Sequence, residues 1–313
     1  NPDTRAVFIT NPTQFGITTD IKKIAQITHR AGKILLVDEA WGAHFKFHPE
    51  FPATALESGA DMVVQSTHKR LPALSQTAML HLQGKRIDRE KVKKIVRLLQ
   101  TTSPSYILLA SLDLARKQMA LEGKKLWQEP INLAKKTRDY LKRLGFRCLD
   151  KNYLRGKRFD SDITNITLEV GNGFKAWDIL NQNKLEPEFA TLNHLIFIIG
   201  IGNSKKDVLS LLKALKKIPP EKQLRKIKYP AITPKIVLSP REASLRKTKK
   251  ITIKKAVGKI SAETLTPYPP GIPLLVPGEI ITQEIIDYLK EINKYSSIRM
   301  QISGSFKTIK VVK

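Results

Sequence analysis

Lys33-Ile-Leu-Leu-Val-Asp38 is a continuous apolar run closed by an acid. That is the pattern of a strand buried on both faces of a parallel sheet. Asp61-Met-Val-Val-Gln65 repeats it and runs into Ser66-Thr-His-Lys69. Ahead of both, Ala6-Val-Phe-Ile-Thr10 is a short β-branched run ending at the turn signal Asn11-Pro12. Thr18-Thr-Asp20 offers caps for a helix with Ile21, Ile24, Ala25 and Ile27 at helical spacing, stopped by Gly32. A second short helix is expected over Pro52–Ser58. The result is a β-α-β-α-β series, hence an α/β layered domain. Open parallel sheets bind ligands beyond the carboxyl ends of their strands. Asp38 and the Ser66–Lys69 tetrad both fall there, and adjacent strands would bring them together.

Downstream, Tyr106–Leu121 reads as a helix with Ile107, Leu108, Ala110, Leu114 and Ala115 on one side. The pattern continues over Leu126–Leu144 to Gly145. Thr164–Val170 and Leu195–Gly200 read as strands around a helical Ala176–Leu180. Lys205–Lys217 reads as an amphipathic helix with Val208, Leu209, Leu211, Leu212 and Leu215 inward. Pro219 to Pro234 is a proline-marked linker, and five prolines between 267 and 277 fix irregular backbone. No internal repeat is present.

The 313 residues carry a formal net charge of +27. Residues 1–81 hold eight basic and seven acidic groups, whereas residues 201–260 hold eighteen basic and three acidic. Such a stretch can bind phosphate backbones. The aromatic side chains that single-strand binders interleave are almost absent from it, which favours a solvated lysine-rich surface over a nucleic-acid role. No apolar run approaches the roughly 18 residues of a membrane helix, and no signal-peptide pattern opens the chain. The expected setting is cytoplasmic. The single Cys148 excludes an internal disulfide and reads as a small buried hydrophobe. His44 and His48 have helical metal-ligand spacing, but Phe45, Phe47 and Pro49 point to a loop, so no metal is expected.

The chemistry lies at the two strand ends. A lysine flanked by a histidine and hydroxyls can be a Schiff-base nucleophile. An aspartate beside the same ligand can hold a pyridinium nitrogen protonated, and that pair is what pyridoxal 5'-phosphate requires. Ser66, Thr67 and nearby backbone N–H groups can take its phosphate.

Val37-Asp-Glu-Ala-Trp-Gly-Ala-His-Phe45, Gly59–Lys69 and Gln100-Thr-Thr-Ser-Pro-Ser-Tyr106 resemble the Orn/Lys/Arg decarboxylase family, a bacterial pyridoxal-phosphate group of fold type I. Ile199-Gly-Ile-Gly-Asn-Ser204 resembles its small domain. Ser239-Pro-Arg-Glu-Ala243 and Thr266–Glu279 resemble its C-terminal domain. The resemblance implies the C-terminal half of an aspartate-aminotransferase-like large domain with a mostly parallel sheet (1–125). A small α+β domain (126–218), a linker (219–238) and a C-terminal decarboxylase domain (239–313) follow. It implies decarboxylation of arginine, lysine or ornithine to CO2 and the corresponding amine, as in polyamine metabolism. Lys69 would carry the cofactor, Asp38 would pair with its ring nitrogen and Ala40 would pack on its face. Ser66 would lie toward the phosphate and His68 beside the reacting carbon. Thr102 and Ser103 would reach the site of a partner subunit in a homodimer or larger assembly, and Trp41 would line the mouth. Glu279, and more weakly Glu263, are candidates to hold the substrate's cationic side chain. Family members carry a substantial stretch before the matched region. The chain is therefore expected to be an N-terminally truncated piece that alone binds cofactor weakly and turns over little. A non-catalytic basic interaction or nucleic-acid-binding protein derived from an enzyme remnant, and another pyridoxal-phosphate reaction such as transamination, are the alternatives.

Overall fold

A computed structural model describes every residue except 151, 152, 155, 157, 158, 219–233, 269, 270, 296–300 and 303–306. Most of the expected linker, 219–238, lies outside the described residues. The fold is mixed α/β. The chain divides into two units, Asn1–Leu168 with Ile196–Lys213, and Glu169–Leu195 with Ala214–Lys313.

The first unit opens with β1 (Ala6–Thr10), β2 (Ile17–Thr19), α1 (Ile21–Arg30) and β3 (Ile34–Asp38). Asp20 caps α1 by accepting the Lys23 N–H at 2.9 Å. Helix α1 lays Ile21, Ala25 and Thr28 inward. Ile27, expected to join them, sits on the helix flank and is exposed, because 100° per residue carries it off that stripe. Then come β4 (Met62–Gln65), the single-turn α2 (Thr67–Arg70) and β5 (Met79–Leu82). The sheet order is β1-β3-β4-β5. The first three strands are parallel, with Thr10 opposite Asp38 and Asp38 opposite Val64, while β5 runs antiparallel at the edge. The apolar runs are where the core is: Leu35, Val37 and Val63 pack with Ile21, Ala25, Ala55 and Ala60. Asp61 ties the sheet to α1, accepting the Leu35 amide and meeting His29 Nε2, each at 2.8 Å.

The helix expected over Pro52–Ser58 is not formed; turns cover Ala55–Gly59. The Thr54 amide and hydroxyl both donate to Glu57 Oε2, and the Glu57 amide donates back to Thr54 Oγ1. These reciprocal bonds form a capping box of the kind that starts a helix, and the Ser58 amide does donate to the Thr54 carbonyl at 3.0 Å, but the chain turns away at once at Gly59, whose φ is +96°.

After α3 (Arg89–Leu99), α4 runs without interruption from Tyr106 to Arg143. Its buried stripe begins only at Ala115 and passes through Met119, Gly123 and Trp127. Ile107 and Leu114, expected on one apolar side, are indeed neighbours in pattern but are exposed. Gly123 is required by packing, since a Cβ there would stand 2.9 Å from Phe47 Cβ. A second core gathers Phe45, Phe51, Met119, Trp127 and Ile131. Then follow β6 (Cys148–Leu149), β7 (Phe159–Ser161) and β8 (Asn165–Glu169). Strand β6 pairs antiparallel with β8, and β2 with β7. Cys148 is buried.

The second unit holds α5 (Gly173–Gln182) and β9 (Phe189–Ala190). β10 (His194–Ile198) and α6 (Lys205–Leu215) straddle the division. On α6, Val208, Leu212 and Leu215 form the buried i, i+4, i+7 stripe; Leu209, expected inward, lies beside it and is 66% exposed. Helix α7 (Pro240–Leu245) starts from a capping box in which Ser239 and Glu242 satisfy each other's amides. β11 (Thr248–Thr252), β12 (Pro267–Tyr268), α8 (Gln283–Tyr295), β13 (Gln301–Ile302) and β14 (Thr308–Val312) complete it. Strand β11 pairs with β14 and β12 with β13, both antiparallel. Helix α8 buries Ile285, Ile286, Leu289 and Ile292 against Leu265, Leu275 and Ile309.

Candidate functional site

Asp38 ends β3 and Ser66–Lys69 follow β4, its parallel neighbour. Both groups therefore stand at the carboxyl edge of the sheet, where such folds hold ligands. The turn after Asp38 is tight. Asp38 Oδ1 accepts the Ala40 amide at 2.9 Å, and the Asn11 amide donates to the Asp38 carbonyl at 2.9 Å. Gly42 allows it, because a Cβ there would meet Glu39 Cγ at 2.7 Å and Pro12 Cδ at 2.9 Å. Asp38 is half-buried and Ala40 buried.

Lys69 is exposed on α2, with Nζ 4.7 Å from the centroid of the half-buried Trp41 ring. A cation over an indole face is an attractive contact, and here it joins the β3 side of the site to the β4 side. Ser66 occupies the N-cap position of α2 without spending its hydroxyl on the helix. His68 Nδ1 lies 2.7 Å from the Thr77 carbonyl. The bond requires a proton on Nδ1, so in the neutral tautomer Nε2 is the acceptor.

Thr102 and Ser103 lie exposed in the connection between α3 and α4. Glu279 and Glu263 belong to the second unit. Glu279 Oε2 accepts the Val276 amide and Glu263 Oε1 the Lys310 amide, each at 2.8 Å. His44 and His48 flank a single 3-10 turn, Phe45–Phe47. His44 is buried against Arg70 and Asp162, and His48 Nε2 meets Gln128 Oε1 at 3.3 Å.

Two buried polar clusters beside the site escape sequence reading. In one, Glu39 Oε1 accepts the Ala55 amide at 2.7 Å and Oε2 accepts Gln65 Nε2 at 2.6 Å; Gln65 Oε1 in turn meets His81 Nε2 at 3.0 Å. Burial, set against those hydrogen bonds, pushes the Glu39 carboxyl up to about 7. In the other, Arg70, His44, Asp162 and Thr164 meet. Asp162 lies 92 residues from Arg70, so no local pattern announces the pair.

A family profile described as "Orn/Lys/Arg decarboxylase, major domain" matches residues 1–163, and that family's C-terminal domain matches residues 222–298. The chain belongs to the Orn/Lys/Arg decarboxylase family. The family is pyridoxal-phosphate-dependent and of fold type I. The chain is 36% identical over 304 residues to an arginine decarboxylase of Bacillus subtilis, covering 92% of this chain and 62% of that protein. It is 34% identical to an arginine decarboxylase of Halalkalibacterium halodurans, covering 100% and 67% respectively. The chain thus spans about two thirds or less of these relatives. A solved lysine decarboxylase of Francisella novicida superposes with a TM-score of 0.76 at 23% identity, over 98% of this chain and 57% of that one. At that identity the likeness concerns the fold. Among the described residues no helix is long and apolar enough to cross a membrane.

Proposed function

We propose that the chain is the site-bearing portion of a pyridoxal-phosphate-dependent enzyme that decarboxylates arginine, lysine or ornithine. The observation that carries the reading is the placement of Asp38 and Lys69 beyond the ends of adjacent parallel strands, with Trp41 beneath the lysine. The donor set fits the cofactor. It offers a primary amine for the aldehyde, a carboxylate for a basic ring nitrogen, and a hydroxyl at Ser66 for the phosphate. When bound, pyridoxal phosphate supplies an electron sink for the pair left behind as CO2 departs.

The chain's own groups divide the remaining work. Asp38 would hold a proton at the ring nitrogen. Lys69 would hold the cofactor through its amine and would return a proton to the substrate's α-carbon. His68 presents the Nε2 lone pair, and its Nδ1 bond to Thr77 fixes the ring. Trp41 excludes water from one side of the Lys69 amine. The two arginine decarboxylases make arginine the first substrate to test.

The shared-site arrangement has its own support. Leu98, Leu99 and Tyr106 flank the Thr102–Ser103 turn and are 81%, 79% and 79% exposed. A patch of that kind marks an interaction surface, and a second subunit is the partner that this reading requires. Incubating the chain with cofactor and each basic amino acid, then assaying CO2 and the amine, tests the assignment. A keto acid without CO2 would instead show transamination.

A further inference from the structure

Lys69 rides on a helix of four residues, Thr67–Arg70. One turn costs more conformational entropy than its hydrogen bonds return. Its N-cap makes no side-chain bond, and the chain leaves it extended at Leu71. The turn therefore depends on tertiary anchors. The neighbour of Lys69 provides one. Arg70 sends its guanidinium inward, where the side chain is 1% exposed. Its Nη2 donates to Asp162 Oδ2 at 3.1 Å and to Thr164 Oγ1 at 2.5 Å, and its Nε donates to His44 Nδ1 at 3.3 Å.

Each partner is itself held. Asp162 Oδ1 accepts the Thr164 amide at 2.8 Å and the Thr164 hydroxyl at 2.7 Å. His44 Nε2 lies 3.1 Å from Asp162 Oδ2. One proton arrangement satisfies the ring and the acid: a neutral His44 with its proton on Nε2, donating to Asp162 and accepting from Arg70 at Nδ1. Burial, reinforced by the Arg70 charge, keeps His44 neutral down to about pH 4. Against the penalty of burial, His44 and Arg70 hold the Asp162 carboxyl well below the usual range. Phe51 and Trp127 wall the imidazole at centroid distances of 4.5 and 4.8 Å. His44 comes from the segment that follows Asp38, and Arg70 adjoins Lys69. One buried cluster thus grips both halves of the candidate site.

We propose that Arg70 is a positioning residue for Lys69: its buried ion pair with Asp162, shared with His44, fixes the turn from which the lysine amine reaches an aldehyde. The inference rests on Lys69 being the cofactor lysine. A buried pair that only stabilised the fold would set the unfolding midpoint and leave the chemistry of Lys69 alone. A pair that positions Lys69 sets the rate at which its amine adds to the aldehyde carbon and expels water. Misplacement by about an ångström can cost up to a hundredfold in such steps.

The test uses the full chain with Arg70→Lys and the paired variant Arg70→Gln/Asp162→Asn. The paired variant removes both buried charges together and so avoids leaving one unpaired. Each protein is checked for folding by circular dichroism. It is then incubated with pyridoxal phosphate, reduced with borohydride at timed intervals and peptide-mapped. Labelling of Lys69 is divided by that of the exposed Lys93 in the same sample. The expected result is a ratio about tenfold lower than the parent's in whichever variant folds. A ratio equal to the parent's overturns the inference. Failure of the parent itself to label Lys69 ahead of Lys93 would strike instead at the cofactor assignment.

Discussion

Glu39 offers a sharp test of how the buried polar groups around the site are held. It follows Asp38 directly and is fully buried. Its carboxyl is raised from 4.5 to about 7, chiefly by burial. Between those values the folded chain keeps a proton that the unfolded chain has released. Stability tied to this group is therefore complete below about pH 4.5, falls as the pH rises, and is lost above about 7. A gap of 2.5 units at about 1.4 kcal/mol each comes to about 3 kcal/mol. Glu39→Gln keeps the shape and cannot ionise. Turning the Gln65 amide lets its oxygen accept from the new side chain while its nitrogen donates to His81, whose ionisation burial disfavours. Urea unfolding of parent and variant at pH 5, 6, 7 and 8 gives the difference directly, since other titrations cancel in the subtraction. The variant should gain on the parent by about 2.5 kcal/mol between pH 5 and pH 8, where most of the effect is lost. A difference that is flat with pH would show that Glu39 is ionised throughout, and the hydrogen bonds from Ala55 and Gln65 would then outweigh burial.

Other outcomes follow from the same geometry. Gly123→Val forces branched atoms onto Phe47, which already stands 2.9 Å from an added Cβ, and should cost about 1–3 kcal/mol in denaturant unfolding; an unchanged midpoint would mean that α4 does not pack on that segment. Leu99→Lys with Tyr106→Lys places two charges in the exposed patch beside Thr102 and Ser103. If that patch is a subunit interface, light scattering should show weaker self-association with circular dichroism unchanged, whereas identical mass profiles would remove the patch from the account.

Much of the site was legible because its determinants are local. An apolar run ending in an acid reads as a buried strand with a polar tip, and both Lys33–Asp38 and Asp61–Gln65 fold so, side by side and parallel. The antiparallel β5 was not read, since Met79-Leu-His-Leu82 is too short to show alternation. At Pro52–Ser58 the helix-starting signal of Thr54 and Glu57 is present, but Gly59, at φ +96°, stops the chain after a single turn. Ile27 and Leu209 lie just off the buried stripes of their helices, and Leu114 stays exposed because periodicity reports a face and not whether that face is covered. Arg70 and Asp162 could not be paired in advance: an arginine beside Lys69 looks like any surface arginine until the fold brings a carboxylate from 92 residues away.

The account stands on Lys69 and Asp38 facing one bound cofactor. Borohydride reduction of the chain with limiting pyridoxal phosphate, followed by peptide mapping of parent and Asp38→Asn, measures that most directly. Label should concentrate on Lys69 in the parent and drop toward the level of the surface lysines in the variant. Label spread evenly over the lysines, or concentrated on another one, would contradict it.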